Sequence, residues 1–227
     1  MELPERIDRT RCDRCGKCAM ACPGHGLREI GSFYEIEEIL EIVLRDKVYY
    51  ENSGGGVTLS GGEPTLYLDY ISTLLKELKS LGIHTTIETN GFFPWDQFKA
   101  KALDWLDLIL FDIKLIDPEL HLKYTGSRND VILENLSRVL RERPDAVIPR
   151  VPLIPGITSS AANLQDIAAL LRDMGIRRCW LLPYNPMGFS KRKPIGKPVV
   201  ELPERLLTKE EINHAEGVFS RAELVEM

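Results

Sequence analysis

The chain has 227 residues, of which 44% are apolar, and 34 acidic against 29 basic side chains leave a formal net charge of −5. This size suits one sizeable globular domain with a small appendage, and the lack of any five-residue basic run argues against a nucleic-acid partner. No cationic-then-apolar leader is visible and no stretch approaches the ~18 apolar residues of a membrane span, so we expect a cytoplasmic protein without a membrane partner.

The first marked feature is the segment Arg11–Pro23, RCDRCGKCAMACP, which holds four of the five cysteines. Clustered cysteines in a reducing compartment are more often metal ligands than disulfides. In bacterial ferredoxins the run Cys-x2-Cys-x2-Cys-x3-Cys-Pro gives three ligands to one [4Fe–4S] cluster and the fourth to another. Zinc is the alternative, because Cys-x2-Cys also suits it, but the closely spaced third cysteine and the final Cys-Pro favour iron–sulfur. We predict that Cys12, Cys15, Cys18 and Cys22 are [4Fe–4S] ligands, with the first three on one cluster and Cys22 placed to reach a second.

From about residue 35 onward, helix-period and strand-like segments alternate, which is typical of an α/β protein. Apolar residues at helical spacing predict helices over residues 36–44 and 71–78. Further along, Asp117-Pro118 predicts a helix start with an N-cap and a first-turn proline, and Thr208 with Glu211 forms the capping box of a later helix.

Five short runs bounded by Gly, Pro or Asn predict strands: VTLS (57–60), IHTTIETN (83–90), LDLILFDIK (106–114), AVIPRVPL (146–153) and CWLLPYN (179–185). Because helices intervene, the strands are expected to be parallel and to form either a barrel or a doubly wound sheet. An eight-stranded barrel needs about 250 residues, so a partial barrel or an open sheet fits better.

Polar residues accompany the end of each predicted strand: Ser60-Gly61-Gly62-Glu63-Pro64, Glu88-Thr89-Asn90-Gly91, Asp112-Ile113-Lys114, Arg150 and Tyr184-Asn185-Pro186. Ligands bind at the carboxyl ends of parallel strands, so we expect these residues to lie at one binding edge. A polar strand-to-helix loop is the ordinary alternative for any one of them. All five together, with Asp112 and Lys114 on one strand face, favour a binding site.

The segment GGGVTLSGGEPT (54–65) is glycine-rich and contains LSGGE, which suggests a nucleotide-binding loop. However, the chain has no G-x-x-x-x-G-K-[ST], so the lysine that would reach the phosphates is missing. We interpret the segment as a strand end where glycines bring the backbone close to a ligand, with Glu63 as an acceptor for a cationic amine.

Several segments together resemble the glycyl-radical-enzyme activating enzymes, a branch of the radical S-adenosylmethionine superfamily related to pyruvate formate-lyase activase. They are RCDRCGKCAMACP, SGGGVTLSGGEPTLY, IETNGFF, LFDIKLIDPELHLKYTG, VPLIPGIT and LLPYNPMGFSK. The resemblance implies a partial (β/α)6 barrel with S-adenosylmethionine lying across the strand ends. It also implies that residues 1–32 form a ferredoxin-like [4Fe–4S] segment, the second half of a two-cluster insert, and residues 33–227 the barrel.

The resemblance also implies roles for individual residues. The methionine amine of S-adenosylmethionine would be held by Ser60, Gly61, Gly62 and Glu63. The rest of its pocket would be lined by Asp112, Ile113, Lys114, Arg150 and Asn185, the last standing where a His can occur. A monovalent cation would be bound by Glu88, Thr89 and Asp112, with Glu88 standing where an Asp can occur.

One family feature is missing from the sequence. The defining Cys-x3-Cys-x2-Cys, whose cluster leaves one iron open for S-adenosylmethionine, is absent from the 227 residues. We therefore expect an N-terminally truncated form that lacks the first barrel strand and does not cleave S-adenosylmethionine by itself.

The implied activity is that of a radical SAM oxidoreductase. S-adenosylmethionine would be cleaved reductively to a 5′-deoxyadenosyl radical, which abstracts hydrogen from a glycine of a partner glycyl radical enzyme, with flavodoxin or ferredoxin as electron donor. The alternative is a non-catalytic iron–sulfur electron-transfer or assembly module that keeps the sheet and one ferredoxin run.

Overall fold

The computed structural model describes residues 7–8, 10–24, 26–187, 201–222 and 224–226. The chain divides into a small unit, Met1–Glu35 with Met187–Glu201, and a large unit, Ile36–Pro186 with Leu202–Met227. The assignment of residues 1–32 and 33–227 to two named domains stays a prediction. In the described part of the chain, no helix is both long and apolar enough to cross a membrane.

The large unit alternates strands and helices. Its strands are β1 Gly56–Leu59, β2 His84–Thr89, β3 Leu108–Asp112, β4 Val147–Leu153, β5 Arg178–Pro183 and β6 Val225–Glu226. The small unit contributes helix α1, Lys17–Met20. The helices of the large unit are α2 Ile36–Leu44, α3 Lys47–Ser53, α4 Leu68–Ser80, α5 Trp95–Lys101, α6 Pro118–Thr125, α7 Asp130–Glu142, α8 Ala161–Asp173 and α9 Lys209–Arg221. Short 3-10 helices lie at Pro64–Tyr67, Leu103–Trp105 and Pro144–Ala146.

The described strands form one parallel sheet in the order β1-β2-β3-β4-β5-β6, which is the order of the chain. Because each strand is added beside the previous one, the chain winds in one direction, as in a partial barrel, and the doubly wound alternative is wrong. The five predicted strands are present. The sixth, β6, was not predicted because two residues are too short to show a hydrophobic period.

The helix-packed face of the sheet holds the core. Its strand side chains include Ile87, Ile109 and Phe111, all fully buried, and they pack in one cluster with helix residues such as Leu75 and Phe219. Burial of each such side chain stabilises the folded state by about 1.5–3 kcal/mol. Cys179 also lies fully buried in this cluster, whereas residues at the alternate strand positions lie on the opposite face.

The predicted helix signals are confirmed. Helix α2 covers residues 36–44 as predicted, and α4 includes the apolar stripe from residue 71 to 78. The Asp117 carboxylate accepts the first backbone N–H groups of α6, at 2.9 and 2.8 Å. Thr208 and Glu211 form the capping box that begins α9. These local contacts orient helices whose apolar sides cover the sheet.

Candidate functional site

The second face of the sheet, opposite the core, carries a chain of charged side chains. Arg150 Nη1 donates to Glu88 Oε1 at 2.6 Å, and Arg150 Nε and Nη2 donate to Asp112 Oδ1 at 3.0 and 2.8 Å. Lys114 Nζ donates to Asp112 Oδ2 at 3.2 Å, and the Ser60 hydroxyl donates to Glu88 Oε2 at 2.5 Å. We call these five residues the charge cluster. Each carboxylate oxygen in it accepts a hydrogen bond.

Strand register assembles the charge cluster. Asp112, the last residue of β3, pairs with Arg150 of β4, and Glu88 of β2 pairs with Leu110, two residues before Asp112. Since side chains alternate along a strand, all of these lie on the same face. Arg150 was predicted at a strand end, but it is the fourth of seven residues in β4, because β4 pairs with β5 as far as Leu153.

Partial burial strengthens the electrostatic contacts in the cluster. The Arg150 side chain is only 11% exposed, against 22% for Asp112 and 30% for Glu88. Burial acts to raise the pKa of Glu88, but hydrogen bonds from Ser60 and Arg150, and the Arg150 charge, outweigh it and leave that pKa below its ordinary value. The carboxylate is therefore ionised at neutral pH and paired with the guanidinium.

Glu63 joins the loop after β1 to the end of β2. Its Oε1 accepts from the Thr65 N–H at 3.2 Å, the Thr65 hydroxyl at 2.7 Å and the Thr89 hydroxyl at 2.9 Å. Its Oε2 accepts from the Asn90 N–H at 2.8 Å. The carboxylate thus caps the 3-10 helix Pro64–Tyr67 and ties two neighbouring loops together. Its proposed contact with a ligand amine would be made in addition to this role.

The glycines beside Glu63 leave room for a ligand. Gly61 has φ +121°, a backbone conformation that favours glycine, and a Cβ added at Gly61 or Gly62 would meet no atom within 4 Å. Both residues are exposed. Their backbone groups are therefore accessible next to the charge cluster member Ser60, as a close-contact ligand loop requires.

Two of the predicted pocket residues, Ile113 and Asn185, are not part of the charge cluster. Ile113 is 2% exposed and packs in the core, so its side chain does not line the polar face; its N–H donates to the Arg150 carbonyl at 2.8 Å. Asn185 is exposed and follows the end of β5 by two residues. For Ile113, only the backbone is left to face a ligand.

Trp180 was not among the predicted site residues, although it lies beside the charge cluster. It pairs with Arg150 in the β4–β5 register, and no acceptor for its buried indole Nε1 is found within the described residues. Trp180 lies between the buried Cys179 and Leu181, and side chains alternate along a strand. This alternation in the sequence could have predicted that Trp180 faces the polar side of the sheet. The indole N–H is therefore an additional hydrogen-bond donor beside the cluster.

The cysteine segment belongs to the small unit and has little packing of its own. Cys15 and Cys18 are exposed, Cys12 and Cys22 are partly buried, and α1 between them contains no buried residue. Asp13 accepts the Cys15 N–H at 3.1 Å, and a hydrogen bond with Asp13 raises the pKa of the Cys15 thiol. Local turns, rather than a core, shape this segment.

The two predicted metal sites differ in fit. Across the residues that the structure describes, no three His, Cys, Asp or Glu side chains are grouped to hold a metal ion. For the cysteine segment the donor set still fits an iron–sulfur cluster, because four thiols lie in eleven residues and α1 among them contains no buried residue. For Glu88, Thr89 and Asp112 the fit is poor, since a guanidinium already lies between the carboxylates.

Comparison with protein families and curated proteins gives a consistent result. Residues 11–171 match the model of the radical SAM superfamily. The chain is 40% identical over 187 residues to the isethionate sulfite-lyase activating enzyme of Nitratidesulfovibrio vulgaris, covering 82% of this chain and 60% of that protein. It is 37% identical to the (2S)-3-sulfopropanediol sulfolyase activating enzyme of Bilophila wadsworthia, covering 86% of this chain and 75% of that protein.

A solved structure supports the fold. The chain is similar to a domain of the pyruvate-formate lyase-activating enzyme from Bacteroides vulgatus, with a TM-score of 0.62 and 24% identity. The match covers 76% of this chain and 98% of the solved domain. At this identity the similarity is evidence for the fold alone, and it agrees with the partial barrel.

Proposed function

This chain belongs to the radical SAM superfamily, within its glycyl-radical-enzyme activating branch, and we propose that its sheet binds S-adenosylmethionine in the activation of a partner glycyl radical enzyme. Proteins of this superfamily use S-adenosylmethionine and a [4Fe–4S] cluster. In the proposed reaction, one electron breaks the bond between sulfur and C5′, which gives methionine and a 5′-deoxyadenosyl radical. That radical takes a hydrogen atom from a glycine of the partner.

The charge cluster beside an open glycine loop carries this proposal. S-adenosylmethionine presents an ammonium, a carboxylate and two ribose hydroxyls, and the cluster offers groups of both signs in a partly buried setting. Lys114 has three donors and its only described ion pair is with Asp112, so it can also bind the methionine carboxylate. The backbone carbonyls of Gly61 and Gly62 would accept from the ammonium.

The cysteine segment would hold a second, electron-relaying cluster. Cys12, Cys15 and Cys18 would bind it, and Cys22 would reach toward a neighbouring cluster. The 227 residues contain no Cys-x3-Cys-x2-Cys. We therefore propose that these residues contribute binding and orientation, that flavodoxin or ferredoxin supplies the electron, and that the reaction takes place in the cytoplasm.

Binding and cleavage of S-adenosylmethionine can be tested separately. The chain is reconstituted anaerobically with iron and sulfide, and equilibrium dialysis then measures its affinity for S-adenosylmethionine. We expect saturable binding that Lys114→Met weakens and Lys123→Met, an exposed lysine on α6, leaves unchanged. The absence of saturable binding up to about 1 mM S-adenosylmethionine would contradict the proposal, since we expect a functional cofactor site to have a Kd below this concentration.

Cleavage is measured on the same sample with dithionite as reductant. We expect no 5′-deoxyadenosine above a no-protein control, because the chain lacks the open-iron motif. Product above the control would show that the four-cysteine run can itself serve as the catalytic cluster.

The absent motif also favours the second candidate, a non-catalytic iron–sulfur module. This candidate predicts a reconstituted cluster with a reversible redox signal but no S-adenosylmethionine binding. The dialysis experiment therefore separates the two functions, since only the activating-enzyme proposal requires the charge cluster to bind a ligand.

A further inference from the structure

The side chains that the family resemblance assigns to a monovalent cation all bind groups of this chain instead. Glu88 accepts from Arg150 and Ser60, and Asp112 accepts from Arg150 and Lys114. The third assigned ligand, Thr89, is 2% exposed, and its hydroxyl donates to Glu63 at 2.9 Å and accepts the Gly91 N–H at 3.1 Å. A cation at this position would have to displace several of these contacts.

The Arg150 guanidinium lies where the charge of such a cation is needed. Three of its N–H donors contact the two carboxylates, at 2.6, 2.8 and 3.0 Å. With Lys114 beside Asp112, two positive charges balance two negative ones within the cluster. A K⁺ or Na⁺ ion would therefore meet a cluster without net charge instead of two uncompensated carboxylates, and its attraction to the site would be lost. Because the Arg150 side chain is only 11% exposed, it also cannot easily turn away from the carboxylates into solvent.

The length of Glu88 makes this bridge possible. Glu88 is on β2 and Arg150 on β4, with β3 between them and a register offset of two residues along it, so their backbones are at least two strand spacings, or roughly 9.6 Å, apart. Both long side chains are needed to span this distance. An aspartate at position 88 would be shorter by one carbon–carbon bond, about 1.5 Å, and would lose contact with the guanidinium.

We propose that Arg150 is a built-in substitute for the monovalent cation between Glu88 and Asp112, so that this chain binds S-adenosylmethionine without K⁺ or Na⁺. The second half of this statement rests on the proposed function, whereas the first half concerns the chain alone. The guanidinium supplies a permanent positive charge that does not depend on the ionic composition of the medium.

Thermal unfolding tests the first half without S-adenosylmethionine. The melting temperature is measured in KCl, NaCl and choline chloride at equal ionic strength, so that only specific ion binding differs. We expect the native chain to melt at the same temperature in all three salts, within about 1 °C. A saturable rise in KCl or NaCl would overturn the proposal.

Three variants complete the test. Arg150→Met removes the guanidinium from both carboxylates, and the conservative Glu88→Asp removes the carboxylate at position 88 from its reach while Asp112 keeps its contacts. We expect K⁺ or Na⁺ to raise the melting temperatures of both variants by about 2–4 °C over choline. Arg143→Met is the matched control, because Arg143 donates to the backbone carbonyls of Leu103 and Leu106 and contacts no carboxylate in the described structure. It should melt lower in all salts equally.

The melting experiments can contradict the role of Arg150 without contradicting S-adenosylmethionine binding. If neither Arg150→Met nor Glu88→Asp responds to cations, the two carboxylates do not form a cation position and the proposal fails. If Arg150→Met does not fold, the native chain and Glu88→Asp still decide. Dialysis in KCl and in choline chloride then tests the second half: equal affinity supports it, while binding that requires K⁺ overturns it and leaves S-adenosylmethionine binding intact.

Discussion

The charge cluster and the cysteine segment each carry a cofactor prediction, but they differ in what holds them in place. In the cluster, Arg150 is 11% exposed, and partners on one strand and two loops hold its two carboxylate neighbours, which lie on two further strands. In the cysteine segment, α1 has no buried residue, and two of the thiols are exposed. Tertiary contacts of the chain itself therefore hold the charge cluster in place, whereas we expect the cysteine segment to be organised by the metal cluster that it is proposed to bind.

The largest expected effect concerns iron binding by the cysteine segment. Cys15→Ser should remove most of the iron from the reconstituted chain, because a thiolate ligand is lost, whereas Cys22→Ser should leave the iron content almost unchanged. The large unit should unfold at the same temperature in both variants. Iron and sulfide analysis, EPR and circular dichroism check these outcomes.

A matched control for these variants is Cys179→Ser, which alters a fully buried core thiol. It should keep the iron and lower the free energy of unfolding by about 1–3 kcal/mol, as expected for a buried hydroxyl. Equal iron loss in Cys15→Ser and Cys22→Ser would mean that all four cysteines share one cluster.

The next effect concerns the packed region below the cluster. Gly91 has φ +79°, and an added Cβ would overlap the Phe111 ring, so Gly91→Ala combines backbone strain with overpacking. We expect a loss of about 2–5 kcal/mol in urea unfolding. Gly82 has φ +71° with no atom within 4 Å of such a Cβ, so Gly82→Ala isolates the backbone cost of about 1–2 kcal/mol. Equal losses would show that Phe111 moves aside freely.

A smaller effect concerns the loop contact made by Glu63. In Glu63→Gln the side-chain amide can place its oxygen toward Thr65 and Thr89, but its NH2 then meets the Asn90 N–H. We expect the free energy of unfolding to fall by about 1–3 kcal/mol, because the Asn90 N–H is left without an acceptor. Glu77→Gln, on the exposed side of α4, should change stability by less than about 0.5 kcal/mol. A loss no larger than this control would mean that the loops hold together without Glu63.

The smallest effect is expected at the opposite end of the sheet, at Asp107. Lys79 Nζ lies 2.7 and 2.9 Å from its two oxygens, and the Thr85 N–H donates to it at 2.8 Å. Burial acts to raise the pKa of Asp107, but these hydrogen bonds outweigh it, so the pKa lies below the ordinary 3.8. Because the folded-state pKa is lowered, this stabilisation is present above the unfolded-state pKa and is lost as the pH falls through the folded-state value.

Asp107→Asn should therefore lower stability at pH 5 and have a progressively smaller effect as the pH falls toward 2, with a difference below about 1 kcal/mol for this partly exposed pair. Urea unfolding across this pH range measures the difference. Asp96→Asn, an exposed position on α5, is the control. A stability difference that does not change with pH would contradict the role of the Lys79 contact.

The structure shows why local features were predictable and long-range contacts were not. Helix α2, the Asp117 cap and the Thr208–Glu211 capping box depend on residues within a few positions of each other, so periodicity and spacing were sufficient. The contact of Arg150 with Glu88 joins residues 62 positions apart and depends on the register of three strands. The same is true of Glu63 and Asn90, 27 positions apart.

The sequence by itself determined the alternation of strands and helices, the polar residues at the strand ends and the spacing of the four cysteines, because each is written in neighbouring residues. Only the tertiary structure decided that the sheet winds in one direction, that Ile113 packs into the core and that Arg150 lies between two carboxylates. The physical reason is that strand pairing aligns residues distant in the chain, and the alternation of side chains then assigns each one to the core or to the polar face.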